Sequence, residues 1–420
     1  MGRRARLVEL VGKINEQHGR STVGIGAALR PADIPRVSAG SLSFDFALGG
    51  GVPLGKVMLL YGDPSSGKTT SAYRIMGNAQ KLCANCLRPA KDYEVVKVKD
   101  EVLDPSTGEV LEEEVHKARG TCDCFQVGIL KPKKYSDEKS SDFNDRVAGY
   151  KENSYEEFVV MLVDAEGAFN HGWGQCVGLD SRVMLYVCPD TAEEIVDVYD
   201  SMLRTGSVDM VCLDSIAAMT PSAEVDDSAE QDHMGEAARI MNRFCRKIGA
   251  TANAIFADYG RLITQVWINQ PRVNIGGGMF AKKTTLPGGK QQLFASSVTV
   301  KMWANKWEID NQIDGKEENK MSVGRSVRMN FLVEKNKTAP AKINGGYKMC
   351  IVGEDKGSVD ELGFMVDVAQ KYGAIEKFKT SWILGEEKFL TKKAMLEKLG
   401  DPVVKDRLRR SLLVKMLGEM

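Results

Sequence analysis

An α/β fold built on a mostly parallel central sheet is predicted by three observations. Five apolar runs have the length and composition of buried strands: Val57–Tyr61, Phe158–Val163, Val183–Val187, Met210–Leu213 and Gln265–Ile268. Helical patterns separate several of them, which is the alternation that lays a parallel sheet between helices. Polar residues follow the runs, at the strand ends where open α/β sheets hold ligands: Gly62–Thr70, Asp164 and Glu166, Asp214 and Ser215, and Asn269 and Gln270.

At 420 residues the chain exceeds one ordinary domain, and an apolar fraction of 43% is ample for a sizeable core. Formal net charge is zero, so nucleic-acid contacts must come from local basic patches. Residues 1–19 read as an amphipathic helix, and a Gly/Pro-rich link follows to about residue 35. Neither this helix nor any other run has the apolar length of a secretory signal or a membrane span. Nine cysteines, an odd number, argue for a reducing compartment and a cytoplasmic location.

The first strand runs into Gly62, Asp63, Pro64, Ser65, Ser66, Gly67, Lys68, Thr69 and Thr70, and a helix pattern continues to about Leu82. Strand, glycine-bounded loop and helix start together make the phosphate-binding loop of a nucleoside triphosphatase. The glycines let amides close around phosphate oxygens, and the helix N-terminus adds partial positive charge. Lys68 supplies a point charge for the β- and γ-phosphates, and Thr69 a hydroxyl for Mg²⁺.

Residues 81–157 interrupt the alternation. About 75 residues separate the phosphate-loop helix from the next strand, far more than an ordinary connection. Inside this block, Tyr93–Lys99 and Glu109–Val115 alternate around a turn at Asp104–Gly108, a hairpin signal. Cys83 and Cys86 stand on one side of the hairpin, Cys122 and Cys124 on the other. Two close pairs suggest a four-thiolate structural Zn²⁺ site. The second pair has a single intervening residue, His116 is an alternative ligand, and unrelated thiols or a redox pair are the competing reading. Cys176, Cys188, Cys212, Cys245 and Cys350 lie in or near apolar segments and read as small core residues.

Asp214 ends a strand, where an acid beside a phosphate loop completes the magnesium shell; the alternative is a helix N-cap. Glu166 is a carboxylate placed to activate water, or else a solvated loop acid. Gln270 stands where a strand gives way to the long loop Pro271–Gly289, a position for sensing the γ-phosphate or simply a loop-start amide. Arg272, Lys282, Lys283 and Lys290, interleaved with Met279 and Phe280, suit single-stranded nucleic acid. Arg239, Asn242, Arg243 and Arg246 share one helix face, for phosphate contacts or for solvent. Ser297–Trp303, Val327–Val333 and Tyr347–Val352 have period-2 texture and are expected to extend the sheet in antiparallel fashion. From about residue 357 the pattern turns helical, with a basic stretch at Lys405–Lys415, as in a small C-terminal domain.

With these pieces in place the chain resembles the bacterial-type RecA recombinases, bacterial and phage origin both remaining open. The matching text is Ser38–Leu48, Asp164–Phe169, Pro189–Thr191, Arg204–Asp209 leading into Leu213–Pro221, His233–Arg239, Ile268–Arg272, Pro287–Gly289 and Glu334–Pro340. It covers most of residues 1–80 and 158–390 and leaves the inserted block out. The resemblance implies a RecA-like P-loop ATPase core over 36–80 and 158–353. Around it stand an N-terminal helix and linker that contact the filament neighbour (1–35), an inserted zinc-binding module (81–157) and a small α/β C-terminal domain (354–420).

The resemblance also implies roles. Asp63, Pro64, Ser65, Ser66, Gly67, Lys68, Thr69 and Thr70 would cradle ATP, with Asp214 on Mg²⁺ and Trp173 against the adenine. Glu166 would be the water-activating base and Gln270 the γ-phosphate sensor, while Lys335 and Lys337 would reach the γ-phosphate of the neighbouring subunit. Met234, Gly235, Arg239, Asn242, Arg246, Arg272, Gly288, Gly289 and Lys290 would touch single-stranded DNA, with loops at 224–234 and 271–286. Leu293 and Thr299, near the interface position Phe294, stand where the family usually carries basic residues. The implied activity is an ATP-dependent recombinase that forms helical filaments on single-stranded DNA and pairs it with homologous double-stranded DNA in recombination and repair. The alternatives are a hexameric helicase-like motor, and an ATP-binding, DNA-binding assembly module without strand exchange.

Overall fold

The strand-forming runs assemble into one ten-stranded sheet in a computed structural model that describes residues 3–18, 34–103, 110–127, 130, 139–226, 235–273, 284–305, 308–310, 323–379 and 381–418. Across the sheet the order is Val359–Asp360, Ile343–Cys350, Val323–Asn336, Val298–Ala304, Val57–Gly62, Thr264–Asn269, Met210–Asp214, Val160–Asp164 and Met184–Val187, with Glu308–Asp310 pairing onto Val323–Asn336. The strands from Val298–Ala304 to Met184–Val187 are mutually parallel. Those beyond Val298–Ala304 are antiparallel.

Successive side chains of a strand point to opposite faces, and both faces are covered here. Met58 and Leu60 pack with Ile75 and Met76 of the phosphate-loop helix Lys68–Ala79. Leu59 and Trp267 pack on the other side with Tyr199 of the helix Ala192–Arg204 and Phe244 of the helix Glu236–Tyr259. Burial on both sides is why the central strands read as continuous apolar runs. The expectation for Ser297–Trp303 needs correction: Val298–Ala304 runs parallel to the phosphate-loop strand, with Val298 opposite Met58. The chain leaves Thr264–Asn269 at its carboxyl end and passes through the short helix Gln291–Ala295 before re-entering the sheet from the amino end. The sheet's antiparallel extension begins one strand later.

Within the insertion, Lys91–Leu103 and Val110–Thr121 form an antiparallel hairpin, followed by the helix Ser140–Glu152. The expected turn at Asp104–Gly108 lies outside the described residues. Near the N-terminus, Arg3–His18 is helical, with Val8 and Leu10 exposed. Among the described residues no helix is long and apolar enough to cross a membrane.

The C-terminal segment packs the helices Leu362–Lys371, Lys392–Leu399 and Pro402–Leu417 on a three-stranded sheet. Its core of Met365, Trp382, Met395 and Leu412 also takes in Leu42. An ion pair between buried Asp45 and half-buried Arg409 fastens the same junction. Asp45, 1% exposed, accepts hydrogen bonds from Arg409 Nη2 (2.6 Å), Ser38 Oγ (2.7 Å) and the Ala39 amide (2.6 Å). Burial pushes the Asp45 carboxyl up, and the Arg409 guanidinium opposes that shift. Arg409→Ala leaves this buried carboxyl with only Ser38 Oγ and the Ala39 amide and is expected to cost up to about 3 kcal/mol of stability. Chemical denaturation measures it, and an unchanged midpoint at unchanged slope would contradict the assignment.

Candidate nucleotide and nucleic-acid site

The phosphate loop is shaped by close backbone approach. A Cβ on Gly62 would lie 2.0 Å from the Met302 carbonyl oxygen of the neighbouring strand, and Gly67 caps the helix at φ +84. Asp63, Pro64 and Ser65 are exposed along the loop, with Ser65 at φ 58, while Ser66 is buried. Lys68, 4% exposed, folds back over the loop, where its Nζ donates to Asp63 O (2.8 Å) and Ser66 Oγ (3.3 Å). Burial lowers the Lys68 ammonium pKa, and Asp214, Glu166 and Asp63 counter that shift. A cation held in a water-poor loop by neutral oxygens is poised for an anionic ligand.

The carboxylates arrive from adjacent strands. Asp214 ends the Met210–Asp214 strand, and its Oδ2 accepts from Thr69 Oγ1 at 2.8 Å. Burial pushes the Asp214 carboxyl up to about 7. This hydroxyl–carboxylate pair is the hard-oxygen set that Mg²⁺ prefers, and a buried acid with so little compensation fits a cation. Glu166 is exposed on the next turn, its Oε1 accepting from Ser215 Oγ (2.6 Å) and Gln270 Nε2 (3.1 Å). Asp164 shapes that turn, taking the Glu166 amide on Oδ1 (3.2 Å), with the Phe169 amide (2.9 Å) and the Tyr186 hydroxyl (3.0 Å) on Oδ2. Trp173 is half-buried beside the loop, its Nε1 donating to Thr70 Oγ1 at 3.0 Å.

A chain of amides leads away from Glu166. Gln270 adjoins Asn269, whose Nδ2 donates to Gln292 Oε1 (2.7 Å) and Pro287 O (3.0 Å), and Gln292 Nε2 donates to Gly289 O (2.9 Å). Sequence reasoning missed Gln292 entirely; a glutamine in a five-residue helix carries no pattern that marks it as fully buried. At the far end of this chain, Gly288 and Gly289 adopt φ +76 and +73. A Cβ on Gly288 would come within 3.1 Å of Ile216 and Met241, and one on Gly289 within 3.5 Å of Ala238. The Pro287–Lys290 segment therefore lies on the start of the helix capped by Gly235. That helix turns Ile240, Met241 and Phe244 inward and leaves Arg239, Asn242, Arg243 and Arg246 exposed. Arg272 Nη2 donates to Ala217 O at 2.9 Å, and Lys290 is exposed. Met234, Lys282, Lys283, Met279 and Phe280 lie outside the described residues.

Lys335 and Lys337 are not brought to this loop. Lys335 pairs with Thr299 at the amino end of Val298–Ala304, the opposite end of the sheet from the phosphate loop. Its Nζ donates to Ser296 O (2.6 Å) and Leu293 O, burial lowers its pKa, and Lys337 lowers it further. Phe294 beside it is 68% exposed.

In the insertion, the Sγ atoms of Cys83, Cys86, Cys122 and Cys124 all lie within 4.8 Å of one another. His116 stands up the hairpin opposite Lys97 and is not in this group. The remaining cysteines divide: Cys212, Cys245 and Cys350 are buried as expected, whereas Cys176 and Cys188 are exposed, at a helix end and beyond an edge strand.

Known proteins resemble this chain over most of its length. The RecA N-terminal domain family matches residues 5–92 and 147–348, so the match is interrupted within the insertion. Protein RecA of Saccharopolyspora erythraea is 27% identical over 410 residues, covering 96% of this chain and 90% of that protein. A phosphate loop, its strand-end acids and a family match over well more than half the length together place this chain in the RecA family, whose members are nucleotide-hydrolysing proteins of DNA recombination.

Proposed function

We propose that this protein is a DNA-dependent ATPase that forms helical filaments on single-stranded DNA and catalyses homologous pairing and strand exchange with double-stranded DNA. The observation that carries the reading is the amide chain from Glu166 through Gln270, Asn269 and Gln292 to Gly289, because it joins the nucleotide end of the sheet to the glycine–lysine segment. ATP binds the loop 63–70, with Trp173 along the base. Thr69 and Asp214 would hold Mg²⁺, whose charge would neutralise the phosphates. Glu166 accepts the proton of the attacking water, and Gln270 reports the γ-phosphate to the DNA segments. Gly235, Arg239, Asn242, Arg246, Arg272, Gly288, Gly289 and Lys290, with Met234, bind the DNA backbone and leave sequence to base pairing.

Lys335 and Lys337 lie too far from their own loop to serve it. They serve the ATP of the adjacent copy, so nucleotide binding and assembly are coupled. Residues 1–35 complete that heterologous contact, which propagates as a helix instead of closing. The core comprises 36–80 and 158–353, the module 81–157 carries Zn²⁺ on its four cysteines, and 354–420 form a C-terminal domain. Nine unpaired cysteines accord with a cytoplasmic setting. Electron microscopy with single-stranded DNA and a non-hydrolysable ATP analogue is expected to reveal open helical filaments, and strand-exchange assays a joint product. Closed rings, or particles that stay monomeric at saturating analogue, would overturn the reading.

A further inference from the structure

The four cysteines of the insertion stand at the spacing of a thiolate metal site. Zn–S bonds of about 2.3 Å set tetrahedral S···S edges near 3.8 Å, and the four sulfurs already stand at this scale, with Cys86 and Cys122 3.6 Å apart. Cys83 and Cys86 lie on a tight turn in which the Leu87 amide donates to Cys83 O at 2.7 Å and Leu87 takes φ 59. Four sulfurs converging at this spacing make the soft donor set that a structural Zn²⁺ takes.

The cluster sits where the chain leaves and re-enters the ATPase core. The phosphate-loop helix ends at Ala79 and is capped by Gln80, whose side-chain amide exchanges two hydrogen bonds with the Asp180 backbone (2.7 and 3.0 Å). Cys83 follows three residues later and forms a β-bridge with Glu157, just ahead of the strand Val160–Asp164 that leads to Glu166. Ser154, fully buried, ties the third passage in: its Oγ donates to Cys122 O (2.8 Å) and accepts from the Phe125 amide (3.1 Å), and its carbonyl accepts from Asn85 Nδ2 (3.0 Å).

Beyond this node the module has little apolar burial to hold it. Among the described residues, the helix Ser140–Glu152 buries no side chain, and Ala118 is the hairpin's one buried hydrophobic. A unit this size whose described residues bury so little apolar surface is stabilised by a covalent or metal staple. We propose that Zn²⁺ on Cys83, Cys86, Cys122 and Cys124 is a clasp that closes the base of the insertion and fixes it to the end of the phosphate-loop helix and the start of the Glu166 strand. This role rests on the zinc reading of the four cysteines given under the proposed function.

The test is hydrogen exchange on the full-length protein, with elemental analysis, before and after zinc removal by a strong chelator. The expected result is about one Zn²⁺ per chain, and on its removal exchange at least about tenfold faster over residues 91–121 and 140–152. Strands Val57–Gly62 and Met210–Asp214 should keep their protection, and added Zn²⁺ should restore the module. Cys86→Ser with Cys122→Ser should reproduce the chelated pattern, while the chelation arm needs no variant to fold. Zinc present but module exchange unchanged on its removal would refute the clasp and leave the metal site standing. A folded protein without zinc, or with a Cys86–Cys122 disulfide in its place, would refute the metal site itself. Loss of protection throughout the core would refute a clasp local to the insertion.

Discussion

Lys68→Ala should yield a folded protein that neither hydrolyses ATP nor assembles on single-stranded DNA when ATP is added. The lysine is 4% exposed and donates to two loop oxygens, Asp63 O and Ser66 Oγ, and no other lysine or arginine among the described residues is as fully buried, so its removal takes the buried positive charge out of the loop. Because the ammonium itself is buried, solvent does not take its place, and turnover is expected to fall roughly 10²–10³-fold. Folding should survive, because alanine favours the first helical turn and the lost ammonium was costly to bury. Far-ultraviolet circular dichroism would check the fold, a phosphate-release assay the turnover and microscopy the assembly. Near-native turnover would show that another group carries the phosphate charge.

The parts of the site set by strand ends were legible in the sequence. Lys68, Asp214 and Glu166 each follow a run that is buried on both faces, and such runs announce themselves by continuous apolar composition. The direction of Val298–Ala304 was not legible. Thr299 and Lys301 give it the alternation of a half-exposed strand, while its direction depends on a crossover through Gln291–Ala295 that residue periodicity does not encode. Gln292 and the amide chain escaped for a related reason: a buried glutamine is defined by its partners, and those lie at Asn269, Pro287 and Gly289. Cys176 and Cys188 misled because neighbouring apolar residues are a poor guide at an element's end, where the next residue already faces solvent. The cysteine pairs were legible by spacing alone, but their convergence required the Ser154 passage, which no motif marks.

Glu166→Gln should separate binding from hydrolysis. The substitution keeps the shape of the side chain and an oxygen that can accept from Ser215 Oγ and Gln270 Nε2, which now stand 2.6 and 3.1 Å from Oε1. What it removes is the basic site, because an amide cannot take up the proton of an attacking water. A general base contributes typically about 10²–10⁴-fold, so turnover should fall by that factor while ATP affinity stays near native. Filaments built with ATP should then persist after the wild-type protein has dissociated, since in the proposed assembly the nucleotide between copies is no longer converted. The split matters more than the size of the loss. Weak ATP binding in the variant would mean that Glu166 acts on the ground state, and undiminished hydrolysis would move the base elsewhere, with Asp164 excluded by its engagement with two amides and the Tyr186 hydroxyl. Pre-steady-state phosphate release alongside nucleotide-binding titration distinguishes these outcomes.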